Sequence, residues 1–134
     1  MAAGFRTTLD VRLVDHNAHS GRGEWMLLAD LVFEDADGRV WTVPAGFRTD
    51  FASVPRVPIA FLLAGCTAHA PAALHDWACS TKPCPRSYAD ELFRQAMESV
   101  GMPPERVRIM YNAVRAYTER NDPPGPEGHG FELI

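Results

Sequence analysis

Long apolar runs are missing from this 134-residue chain. The longest, from Val57 to Gly65, is interrupted by Pro58 and is too short to span a bilayer. No signal-type apolar segment opens it, so the expectation is a soluble protein made in the cytoplasm. Cysteine is scarce: the three present, Cys66, Cys79 and Cys84, are an odd number confined to a short stretch. That argues against a disulfide framework and leaves reduced thiols or a metal site. Basic charge is lacking too, since thirteen Lys and Arg face seventeen Asp and Glu for a net charge of -4. Binding to a nucleic-acid backbone by bulk charge is therefore disfavoured. No nucleotide-binding loop, zinc-protease motif or G-x-S-x-G elbow occurs.

What remains is enough for one domain. A chain of this length buries roughly two-thirds of its unfolded surface without disulfides or metal. Leu9, Val11 and Leu13 alternate with Thr8, Asp10 and Arg12, which predicts a half-buried strand. The apolar run Trp25 to Phe33 and the segment Val40 to Val43 flank Asp37-Gly38, a hairpin signal. Pro44 and Gly46 end the second arm. After Pro58 the period lengthens and three helices are predicted: 70–80, 87–100, and one beginning at Pro103 or Pro104. The last is expected to bury Val107, Met110, Tyr111, Val114 and Tyr117, with Arg106, Arg108 and Arg115 turned outward. The fold class is thus α+β: a small antiparallel N-terminal sheet of three or four strands packed on about three C-terminal helices, over residues 1–120. Residues 121–134 hold three Pro and three Gly before Phe131 and read as a flexible tail. The segment Ala-Gly-Phe-Arg-Thr occurs at Ala3 and again at Ala45, in unmatched flanks.

The chemistry-bearing residues gather between Val43 and Asp90. Asp50 and Ser53 follow the sheet in a loop bounded by Gly46 and Pro55; His75 and Asp76 fall in the first helix, and Asp90 near the start of the second. Short links make neighbouring helices antiparallel, which could set Asp90 opposite His75 as a dyad whose carboxylate fixes the imidazole tautomer. The competing role for Asp90 is a capping box, Ser87-Tyr88-Ala89-Asp90. Ser53 with His75 and an acid would make a nucleophilic set, but no oxyanion hole is readable, and capping a turn is the simpler role. For a divalent metal, Asp50, His75, Asp76 and Asp90 offer oxygen and nitrogen ligands. An alternative zinc set is Cys66, His69, Cys79 and Cys84, with His75 and Cys79 one helical turn apart as further donors. Trp25, Trp41 and Trp77 are expected in the core.

The motifs G-F-R-T-D-F-A-S-V-P-R (Gly46 to Arg56), A-A-L-H-D (Ala72 to Asp76) and Y-A-D-E-L-F (Tyr88 to Phe93) resemble a family of short domain-of-unknown-function proteins of tailed bacteriophages and prophages. The resemblance spans most of residues 5 to 118. It implies a phage or prophage origin near morphogenesis or lysis genes, other virion or tail proteins as partners, and incorporation in the virion after synthesis in the host cytoplasm. It carries over Asp50, Ser53, His75, Asp76 and Asp90 as recurring polar positions, while Cys79 stands where many members have an aromatic residue. A His-Asp pair on one helix facing an Asp on the next also looks like the secreted phospholipase A2 arrangement, without its cysteine pattern or calcium loop. By that analogy His75 is the base, Asp90 its orienter, and Asp76 or Asp50 a water-positioning or metal-binding acid. Two functions follow as expectations. One is a His/Asp hydrolase acting on cell-envelope material. The other is a structural virion protein in which the same residues form a buried hydrogen-bond network.

Overall fold

The structure is a computed structural model that describes residues 2–18, 23–51 and 69–121. Six short strands precede three helices: β1 (Gly4–Phe5), β2 (Val11–Asp15), β3 (Glu24–Leu27), β4 (Leu31–Glu34), β5 (Val40–Val43), β6 (Arg48–Thr49), α1 (His69–Thr81), α2 (Arg86–Ser99) and α3 (Pro104–Asn121). The α+β class and the three C-terminal helices are as expected, with helix bounds shifted by one residue or so. The strands form two antiparallel sheets of three, ordered β1-β4-β5 and β2-β3-β6. Ser53, Cys66 and the tail from Asp122 lie outside the described residues.

The division into two sheets comes from a break inside the run Trp25 to Phe33. Leu28 donates its N–H to the Asp10 carbonyl, and the Asp30 carboxylate accepts the N–H of Ala45 at 2.8 Å. The chain thereby leaves one sheet at Leu27 and enters the other at Leu31. The β4–β5 hairpin pairs Leu31 with Val43 and Glu34 with Val40. At its tip Gly38 adopts φ +85°, a left-handed conformation that disfavours a side chain. Along β5 the alternation expected of a half-covered strand holds: Trp41 and Val43 are buried, Val40 and Thr42 exposed. Leu13 departs from its pattern. It is exposed because β2 runs past the end of the core, where only Leu9 and Val11 reach it.

The two Ala-Gly-Phe-Arg-Thr segments each supply a two-residue strand, β1 to one sheet and β6 to the other. Each arginine pairs with a glutamate of the adjoining strand, Arg6 with Glu34 and Arg48 with Glu24. The strand falls on different residues of the two segments, Gly4–Phe5 in the first and Arg48–Thr49 in the second, so the shared sequence is not a structural repeat.

Two apolar clusters meet on α2. Ala89, Leu92 and Ala96 face the sheets and α1, joining Leu27, Leu31, Phe33, Trp41 and Leu74. Phe93 and Met97 face α3, joining Val107, Met110 and Val114. Helix α3 packs on the rest of the molecule principally through α2. Trp41 is buried, and Trp25 and Trp77 are half-buried against the first cluster, as expected for core aromatics.

Candidate functional site

Helix α1 brings His75 to its buried side among Ala72, Leu74 and Ala78. The imidazole stacks on the Phe93 ring, with centroids 4.8 Å apart and planes inclined by 29°. Helix α2 runs back alongside and sets the Asp90 carboxylate against it, with Nε2 of His75 2.7 Å from Oδ1. The dyad anticipated from antiparallel helices is present, and it is sealed: the two side chains are 1% and 0% exposed.

The capping role for Asp90 is excluded by the start of α2. The helix begins at Arg86 with Pro85 as its N-cap residue and no side-chain cap, so Asp90 lies more than a turn inside. Both its oxygens are engaged by other elements. Oδ2 accepts the Thr118 hydroxyl at 2.6 Å and the Arg115 guanidinium at 3.4 Å, both from α3. Asp90 is therefore the polar counterpart of Phe93 and Met97, one turn nearer the helix start, and ties α1 to α3 across α2.

Thr118 and Arg115 are site residues that sequence reasoning did not assign. Arg115 was expected outward but turns toward Asp90, with Glu119 at 3.4 Å on its other nitrogen. The apolar stripe was extended to Tyr117, whereas the buried position is Thr118. Val107, Met110, Val114 and Thr118 are spaced three, four and four, so the helical period itself marks Thr118 as inward. Tyr117 is half-buried, and the Arg86 guanidinium lies 4.8 Å over its ring.

A third donor approaches the dyad. The Cys79 Sγ, one turn beyond His75, lies 3.5 Å from the same Nε2. Burial pushes this thiol up to about 12, and neighbouring Asp90 and Asp76 add to the shift. It stays protonated at neutral pH and is no thiolate nucleophile. Cys84, buried behind Asp90, is pushed up to about 11, chiefly by desolvation. Nδ1 of His75 is buried and has no hydrogen-bond partner among the described residues.

The other anticipated positions stand apart from this centre. Among the described residues the metal-ligating atoms that gather are those of His75, Cys79 and Asp90, all within 4.8 Å; Asp50 and Asp76 are not in that group. Asp76 is half-buried on α1, about 100° around the helix from His75. Asp50 is half-buried directly after β6, followed by Phe51 with φ +61° and its N–H on the Thr49 hydroxyl. The zinc set of His69 with Cys79 is ruled out by the helix itself. Ten residues separate them, about 15 Å along the axis. His69 instead meets the Phe51 ring edge-on, with centroids 5.0 Å apart.

A second buried carboxylate, Asp35, escaped notice because it reads as part of the hairpin turn. Its Oδ1 accepts the N–H groups of Asp37 and Arg39, both at 2.9 Å. Its Oδ2 accepts Trp41 Nε1 at 2.9 Å and the Tyr88 hydroxyl at 2.6 Å. Burial works to raise its pKa, but these four donors outweigh it and hold the carboxyl below the ordinary aspartate value. The same contact, together with desolvation, pushes the Tyr88 phenol well above its usual value.

The architecture is an α+β domain with a buried His/Asp pair between helices. The family described as "Protein of unknown function (DUF1353)" matches residues 25–114, and the chain belongs to it. The match covers β3 to residue 114 of α3, including the Asp35 centre and His75, Cys79 and Asp90 but not Arg115 or Thr118. An uncharacterized protein of Sinorhizobium fredii (strain NBRC 101917 / NGR234), y4jT, is 32% identical over 94 residues. That stretch is 68% of this chain but only 28% of the relative's length. No solved structure matches. Among the described residues no helix is long and apolar enough to cross a membrane.

Proposed function

We propose that this is a phage- or prophage-encoded protein of a tail or virion-assembly module, bearing a His/Asp hydrolytic centre directed at cell-envelope material, peptidoglycan or lipid. The observation that carries the chemical part is the division of the His75 ring. Nε2 faces Asp90, while Nδ1 has no partner among the described residues. A carboxylate holding Nε2–H leaves the lone pair on Nδ1, the state in which an imidazole takes a proton from water. A network serving packing alone has little use for a buried nitrogen that no described residue partners. In this reading His75 is the base and Asp90 its orienter, while Asp76 and Asp50, the acids expected to position water or a metal, lie outside the group of ligating atoms that gathers at the dyad. The phage and envelope assignments rest on the three sequence motifs.

The test is release of soluble product from purified peptidoglycan and from phospholipid vesicles by the wild type, His75→Gln and Asp90→Asn. Hydrolysis by the wild type, lost in both variants while they remain folded by circular dichroism, is the expected result. No product from either material, or full activity in His75→Gln, overturns it.

A structural role in the virion is the second reading, favoured by the near-complete burial of both side chains. There the centre fixes one packing of the helices. His75→Gln would then lower the melting temperature and particle assembly with no hydrolysis to lose.

A further inference from the structure

His75 and Cys79 sit four residues apart on one face of α1, and Asp90 closes the third side from α2. One nitrogen, one sulfur and one oxygen thus converge from two packed helices. The 3.5 Å between Sγ and Nε2 is the edge expected for a tetrahedral ion holding sulfur at about 2.3 Å and nitrogen at about 2.0 Å, roughly 3.5 Å. The 2.7 Å between Nε2 and Oδ1 is a hydrogen bond. An ion replacing that shared proton requires this pair to open by about 0.6 Å and the widest edge, between Sγ and Oδ1 at up to 4.8 Å, to close by up to about 1.3 Å through side-chain rotation.

Charge and surroundings suit such an exchange. Binding breaks the Cys79 S–H bond and releases its proton to solvent; the resulting thiolate and the Asp90 carboxylate then match the charge of a dication, while Arg115 keeps Glu119 as its own counter-charge. The second oxygen of Asp90 is already held by Thr118 and Arg115, the kind of outer contact that keeps a ligating carboxylate in place. A mixed nitrogen, sulfur and oxygen set disfavours calcium and magnesium, which take oxygen, and suits zinc-like transition ions.

We propose that His75 Nε2, Cys79 Sγ and Asp90 Oδ1 form a binding site for one divalent transition-metal ion of the zinc type, with a fourth position for a small ligand such as water. The site differs from the all-oxygen-and-imidazole set read from the sequence by using Cys79 in place of Asp50 and Asp76. It does not depend on hydrolysis. Metal on Nε2 keeps the ring proton on Nδ1, so the occupied site and the general-base state of His75 exclude one another.

The experiment is titration of the reduced, full-length protein with Co²⁺ as a spectroscopic substitute for zinc. One equivalent is expected to raise a thiolate-to-cobalt charge-transfer band and the intense visible bands of four-coordinate cobalt, both removed by added Zn²⁺. Cys79→Ser, its fold checked by circular dichroism, is expected to lose the charge-transfer band and bind cobalt at least tenfold more weakly. Cys66→Ser keeps the band. Absence of the band in the wild type overturns the proposal without any variant; so does a band that survives Cys79→Ser or disappears in Cys66→Ser.

Discussion

Asp35 and Asp90 are both wholly buried, but they are furnished differently. Asp35 receives four donors from a turn, an indole and a phenol; three of them tie the β4–β5 hairpin together and the fourth, Tyr88, fastens it to α2. Asp90 receives an imidazole, a hydroxyl and a guanidinium from two other helices, and its imidazole leaves one nitrogen without a partner among the described residues. A complete set of partners marks a buried carboxylate as a fastening. At Asp90 a thiol and an imidazole with one nitrogen unpartnered among the described residues stand alongside, the feature on which the proposed chemistry and the proposed ion site draw.

The sharpest way to break this contrast is to remove each carboxylate in turn. Asp90→Ala strands His75, Thr118 and Arg115 together and is expected to cost about 3–5 kcal/mol, read from urea unfolding. Asp35→Asn keeps the shape but turns charge-assisted bonds into neutral ones and sets an amide N–H₂ or oxygen against fixed donors; about 2 kcal/mol is expected by the same measurement. Equal costs at the two positions would erase the distinction. Tyr88→Phe removes the charge-assisted bond to Asp35 together with the hydroxyl's interaction with Arg39 and should cost about 1.5–3 kcal/mol, with no change at His75 in imidazole ¹⁵N shifts. Thr118→Val removes one donor from Asp90 and should cost about 1 kcal/mol, but move those shifts.

The pH dependence sharpens it further. The folded Asp35 carboxyl titrates below its unfolded value, so its contribution is in place above about pH 4 and is lost as the pH falls through the folded value. Asp35→Asn is therefore expected to flatten the acid limb of a stability profile followed by circular dichroism. An unchanged limb would show that other carboxylates govern acid unfolding.

Much of the helical half was legible because helices announce their inward positions by period. His75 facing Asp90 followed from two helices, a short link and the residues H-D and A-D. Thr118 was equally available, had the spacing from Val107 been carried one turn further instead of ending on an aromatic. The sheet half was harder. Nothing in Trp25 to Phe33 marks the switch between sheets except Asp30, whose role depends on Ala45 reaching it from a distant turn. Asp35 was hidden for a related reason: E-D-A-D-G is a sufficient description of a turn, and it takes the Trp41 indole and Tyr88, 53 residues away, to make one of those acids a core residue. Cys79 was legible as a donor beside His75 but not as the one that meets the dyad.

Since α3 shares its apolar cluster with α2 and reaches His75 of α1 through Asp90, the carboxylate adds a polar link to the apolar one that α2 already makes between the two clusters. Amide protons near the end of α3 would then exchange with deuterium at a rate set by events at His75. Exchange protection of the last helix would register the proposed ion at the dyad without any substrate being known.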